Sequence, residues 1–137
     1  MQNILKDIEE LVNQLASKIN APKNYLPTYG YSLDGAHPHI EVDKNGQLYY
    51  VIVERGQELR RDYAADLDDL LYRIFVDITF SMACSFEVRH RIKNEDFRRQ
   101  GFSKQEHLLG LLNEKWKIRE QAEHEWILKS YPFDDSV

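Results

Sequence analysis

The chain has 137 residues, 42% of them hydrophobic and 30% charged, with a formal net charge of −5. That is the size and make-up of one globular domain, and the acidic balance disfavours a protein whose main work is gripping phosphate backbones. A single cysteine, Cys84, excludes an internal disulfide framework and points to a reducing, cytoplasmic compartment. The longest apolar run, Tyr49 to Val53, is far short of the ~20 residues of a membrane span. Lys6, Asp7, Glu9 and Glu10 come too early for a secretory signal. No membrane and no nucleic acid is therefore expected as a direct partner.

Ile4, Leu5, Ile8, Leu11, Val12, Leu15 and Ile19 recur at helical spacing and predict an amphipathic helix over 1–21, ended by Pro22. Tyr25 to Gly35 is aromatic and punctuated by glycine, an irregular segment or a short edge strand. Ile40 and Val42 alternate with His39, Glu41 and Asp43, the pattern of a strand with one wet face. Asn45-Gly46 then tolerates positive φ and marks a hairpin. Leu48 to Val53 is apolar on both faces and reads as the central strand. Gly56 turns the chain again, and Glu58 to Tyr63 returns as a third strand.

Asp66 and Asp69 have the character of a helix start, where carboxylates complement the positive end of the dipole. From Leu67 to about Ile92 the apolar set Leu70, Leu71, Ile74, Phe75, Ile78, Met82 and Phe86 forms one stripe. Val76, Phe80 and Ala83 add a second, so this helix is expected to be buried between layers. Ser103 to Glu106 has capping-box spacing and predicts a third helix. Asn113 is expected to cap a fourth, stopped before Pro132. The expected architecture is α+β, a single domain over 1–137. A three-stranded antiparallel meander (25–63) packs against the long buried helix, with the N-terminal helix and a C-terminal helical pair within 66–131.

Chemistry is sparse. His37, His39, Glu41 and Asp43 crowd one strand and would suit a divalent metal, making a small metal-dependent enzyme or binding module the alternative reading. Metal sites draw ligands from separated elements, however, and no partner motif such as His-Glu-x-x-His is present. The expectation is a solvated strand face without metal or cofactor. Cys84 and His90 lie six residues apart on one helix and diverge around its axis, so they make no nucleophile–base pair. Cys84 is expected to be a buried, inert thiol. Arg89, Arg91, Lys93, Arg98 and Arg99 are interleaved with Glu87, Glu95 and Asp96, a mixed surface or a salt-bridge network. With no phosphate cradle, nucleophile elbow or dinucleotide fingerprint, binding outranks catalysis. A cytosolic adaptor domain is a further alternative, and the choice between monomer and homodimer stays open.

Several segments in order resemble a known family. They are Tyr29-Gly30-Tyr31-Ser32-Leu33-Asp34-Gly35-Ala36-His37-Pro38-His39-Ile40-Glu41-Val42, then Tyr49 to Leu59, Asp68 to Tyr72, Asp77 to Ala83, Glu87 to Ile92 and Asp96 to Arg99. Together, from about Tyr25 to the C-terminus, they resemble the bacterial immunity protein 63 family of polymorphic-toxin systems. The resemblance implies a non-enzymatic cytoplasmic protein that binds the toxin domain encoded beside it and protects the producing cell. An acidic inhibitor suits a basic nuclease toxin, because complementary potentials speed association and help fix the docking register. The candidate partner-binding residues are Asp34, Glu41 and Asp43 around the first hairpin and Asp66, Asp68 and Asp69 at the helix start. Within 62–79, Asp62, Asp66, Asp68, Asp69 and Asp77 face only Arg73. A hydrophobic interface on Tyr25, Tyr29 and Tyr31 is the competing expectation.

Overall fold

The computed structural model describes residues 2–137, with side chains from Ile4 onward. The chain divides into two compact units, one up to Phe75 and one from Val76 on. In the first, the stripe of the opening helix α1 (Gln2–Lys18) is buried at Ile8, Val12 and Ala16, continued by Ile19 just beyond it. A 3-10 turn at Lys23–Tyr25 follows, then strands β1 (Thr28–Tyr29), β2 (Pro38–Val42), β3 (Leu48–Glu54) and β4 (Gln57–Ala64). The sheet has the order β1-β2-β3-β4. The expected meander is present as β2, β3 and β4, antiparallel throughout. The difference is a fourth strand: β1 runs parallel to β2 through Thr28 and Tyr29, within the stretch that reads as irregular or edge-like.

Both hairpins have physical causes in the sequence. At the first, Gly46 adopts φ 80° while Asp43 Oδ1 accepts from the backbone of Asn45 and Gln47, each at 2.9 Å. At the second, Arg55 and Gly56 both have positive φ, the signs of a type I′ turn, whose twist matches that of the flanking strands. A bulge opposite Ile52 and Val53 leaves Leu59 as the extra residue of β4.

The register assigns the two faces of the sheet. Ile40 pairs with Tyr50 and Tyr50 with Asp62, and Tyr29 joins the same row. This face is buried at Ile40, Tyr50, Leu48 and Ala64. Helix α1 packs on β1 and β2, with Glu9 close enough to act on the Tyr29 phenol. Arg73 of α2 (Leu67–Arg89) reaches Asp62 on the same side. Gly30, at the end of β1, has φ 86°, and a Cβ there would lie 3.2 Å from Leu5 Cδ1 of α1. Gly30→Ala is therefore expected to lower unfolding free energy by roughly 1–2 kcal/mol, the cost of a left-handed non-glycine residue. A urea titration with an unchanged midpoint would refute this.

The second unit contains the rest of α2, α3 (Phe97–Leu112) and α4 (Glu114–Ser130). The core expected on α2 is buried at Leu71, Ile74 and Phe75 in the first unit and at Ile78 in the second. The second stripe departs from expectation: Ala83 is buried, but Phe80 is 55% exposed. Helix α2 also stops at Arg89, short of Ile92. Helix α3 opens at Phe97, capped by Asp96, whose side chain accepts from Arg98 N. Ser103 thus lies inside a running helix, and its capping-box spacing caps nothing. Asn113 caps α4 as expected, accepting from Lys115 N, and the helix ends before Pro132. Between α3 and α4, the buried ring of His124 stacks on Phe102 at 3.8 Å. Its Nδ1 lies 2.6 Å from Glu106 and its Nε2 3.1 Å from Gln105.

The interleaved charges form separate ion pairs, some of them at the surface. Arg91 pairs with Glu87, Arg98 with Asp96 and Arg99 with Asp135. Phe133 lies under both Arg98 and Arg99. This ties the C-terminal residues back to the start of α3.

Candidate partner-binding surface

The six carboxylates singled out from the sequence do not form one patch. Val42 pairs with Leu48 and Leu48 with Ala64, so the Asp43 turn and the Asp66 helix start lie at the same end of the sheet. Asp34 lies at the other end, where its Oδ1 accepts from Gly56 N at 3.2 Å. A seven-residue strand separates the two ends by roughly 20 Å. Asp34 also belongs to a run, Asp34-Gly35-Ala36, in which all three residues have positive φ.

Much of this acidity has local structural work. Asp66 Oδ1 accepts from Asp69 N, and Asp69 Oδ2 accepts from Ala65 N, a reciprocal cap on α2. Asp69 also pairs with Arg73 at 3.3 Å, and Arg73 extends to Asp62 at 3.4 Å. Arg60 pairs with Asp62 at 2.6 Å. That cation comes from β4, outside the window in which Arg73 stands alone, and it reduces the local negative charge. Asp68 is exposed on the first turn of α2.

Glu41 belongs to the opposite face of the sheet, with His39 on β2, Tyr49, Val51 and Val53 on β3, and Glu58, Arg61 and Tyr63 on β4. His39 is buried, and its Nε2 lies 2.6 Å from Glu41 Oε2. Its Nδ1 is buried without a hydrogen-bond partner among the described residues. Arg61 Nη2 reaches Glu41 Oε1 at 3.0 Å. It also grips Glu58 through Nε and Nη2 at 2.8 and 2.9 Å, a two-bond geometry that fixes both planes. Burial works to raise the Glu41 carboxyl, but the hydrogen bonds from His39 and Arg61 outweigh it and hold it below the ordinary range. Arg61 holds Glu58 down in the same way. The Arg61 guanidinium lies over Tyr49 at 5.3 Å, and Tyr49 meets Tyr63 edge to face at 5.9 Å. Sequence reading missed Arg61, Glu58, Tyr49 and Tyr63 as a group. Alternation across two hairpins would have placed them on one face, had the bulge at Leu59 been visible.

On the strand of the alternative metal reading, the polar side chains already have partners within the chain. His37 Nε2 lies 2.8 Å from the Leu26 carbonyl, His39 is committed to Glu41, and Asp43 builds the turn. Among the described residues no group of three or more His, Cys, Asp or Glu side chains is arranged to hold a metal ion. Of the three tyrosines, Tyr31 is exposed. Burial, with Glu9 beside it, pushes the Tyr29 phenol well above its ordinary range.

Cys84 is exposed, which corrects the expectation of a buried thiol. The Phe80-Cys84-Val88 stripe lines an open apolar groove of about 560 Å³ together with Phe97 and Ile127 of the same unit. Partial burial and the Glu87 charge push the Cys84 thiol up, and His90 turns to Phe86 instead, stacking on it at 4.1 Å.

The model of a family described as Immunity protein 63 matches residues 44–126. The match runs from the first hairpin turn through β3, β4, α2 and α3 into α4, and so begins later than the resemblance from Tyr25. No curated protein and no solved structure matches the chain.

Proposed function

Because the chain belongs to the immunity protein 63 family, we propose that it neutralises a cognate secreted or contact-delivered bacterial toxin domain by binding it in the cytoplasm of the producing cell. It does so as a non-enzymatic, stoichiometric inhibitor, and a basic nuclease is the toxin class that its charge fits. The observation that carries this reading to a surface is the convergence of Asp43, Asp66, Asp68 and Asp69 at one end of the sheet. Glu41 extends that acidity onto the sheet face, and Asp34 is a separate, distant charge. A negative field at this end steers a cationic partner, and exposed charges act mainly on association rate. No helix among the described residues is long and apolar enough to cross a membrane.

Co-expression with the toxin domain encoded beside this chain is the direct test, scored as growth. Continued killing by an active toxin, with this protein folded and abundant, would refute the reading. A finer test separates steering from folding. Asp66 and Asp69 cap α2, so the reversal made is at the exposed Asp68, Asp68→Lys, with a thermal melt of the variant to check the fold. It is expected to slow association roughly threefold or more at low ionic strength and to flatten the salt dependence. An association rate that ignores both the reversal and salt would remove the acidic surface from the account.

A further inference from the structure

Resting on that reading, we infer that the toxin domain seats a cationic surface on the exposed part of the first unit's sheet face that carries Tyr63, Tyr49 and Arg61, beside the bulge at Leu59. Tyr63 is 51% exposed and Leu59 58% exposed. Tyrosine and arginine are the residue types that dominate binding energy when a partner excludes water from them. Here they are held in place before any partner arrives. Tyr49 is wedged between the Tyr63 edge and the Arg61 guanidinium, and its hydroxyl donates to Gln47 at 3.1 Å. Arg61 is fixed by two carboxylates, and Glu41 is oriented in turn by the buried His39. Little side-chain freedom remains to be lost on docking, which favours tight binding.

Charge selects the occupant. Glu41, Glu58 and Asp43 border this face, and Arg61, the guanidinium among them, is already shared between Glu41 and Glu58. Lys44 lies in the exposed turn beyond the strands. Both glutamates keep acceptor sites for further donors, so the face fits lysine or arginine side chains flanking an apolar contact for Tyr63. A second copy of this chain fits poorly, because a two-fold contact sets each carboxylate against the same acidic face. The roles divide accordingly: the acidic end of the sheet governs approach, and this face governs residence.

The test uses the full chain and the purified, catalytically inactivated toxin domain encoded beside it. Tyr63→Ala removes a half-exposed side chain and leaves the Ile40 and Tyr50 face untouched. It is expected to raise the dissociation rate about tenfold or more while the association rate stays within about twofold. Glu58→Gln is expected to weaken binding in the same direction, and the thermal melt of each variant checks the fold. Wild-type protein that binds the toxin with both variants indistinguishable from it would overturn this face and leave the proposed function standing. Failure of the wild type to bind would overturn both. Self-association of the wild type that Tyr63→Ala abolishes would assign the face to a second copy and overturn the inference.

Discussion

Replacing Phe75 by alanine is expected to lower the unfolding free energy by about 3–5 kcal/mol, the range for deleting a large aromatic side chain from a packed core. Phe75 has 0% exposure on α2, with Leu70, Leu71 and Ile74 of the same helix also buried. The helix carries its own control one and a half turns on. Phe80 is the same residue type on the same helix, yet more than half exposed. Phe80→Ala is expected to cost no more than about 1 kcal/mol, as surface changes do. Chemical denaturation of the two variants side by side measures the contrast. Equal losses would mean that α2 does not distinguish a buried from an open stripe as described.

Asp96→Ala is expected to cost about 2–4 kcal/mol, because it strips partners from several groups at once. The buried carboxylate accepts from Arg98 N at 2.9 Å, from Arg98 Nη2 at 2.8 Å and from Asp134 N at 2.9 Å. Arg98 also donates to the carbonyls of Tyr131 and Pro132. The substitution therefore removes the cap of α3 and loosens the C-terminal residues together. The hydrogen bonds from Arg98, with those from the backbone, hold the Asp96 carboxyl well below the usual carboxylate range. A carboxyl lowered in the folded state stabilises fully above its unfolded value and loses that contribution only as pH falls towards the folded one. The stability gap between wild type and Asp96→Ala should thus stay level from about pH 8 to about pH 5 and narrow below about pH 4. Thermal unfolding across that range checks it, and a gap that grew on acidification would contradict the assigned cause.

What could be read from the sequence was whatever short-range chemistry decides. Asn45-Gly46, Arg55-Gly56, the Asp66 and Asn113 caps and the stop before Pro132 each depend on a few adjacent residues, and each is where the pattern placed it. Strand β1 was not legible because two residues pair with partners eleven positions away in the parallel sense, which leaves no local signature. The start of α3 was missed for a related reason. The charged run Asp96 to Arg99 looks like surface loop until Asp134 and Asp135 return to pair with it. At Ser103 a local motif was overridden by a helix already under way. The candidate site follows the same division. The caps at Asp66 and Asp69 could be anticipated from spacing, whereas the grouping of Glu41, Glu58, Arg61 and Tyr63 needs three strands and a bulge in register.

The position of Cys84 gives the experimenter a handle. It is the one thiol in the sequence, exposed on the wall of the apolar groove, so a maleimide-linked, polarity-sensitive dye attaches to every molecule at the same place. Because the thiol is pushed up, labelling proceeds best in mildly alkaline buffer, where the reactive thiolate is better populated. The emission of such a conjugate then reports in real time how wet that groove is, alone and during each of the binding experiments above.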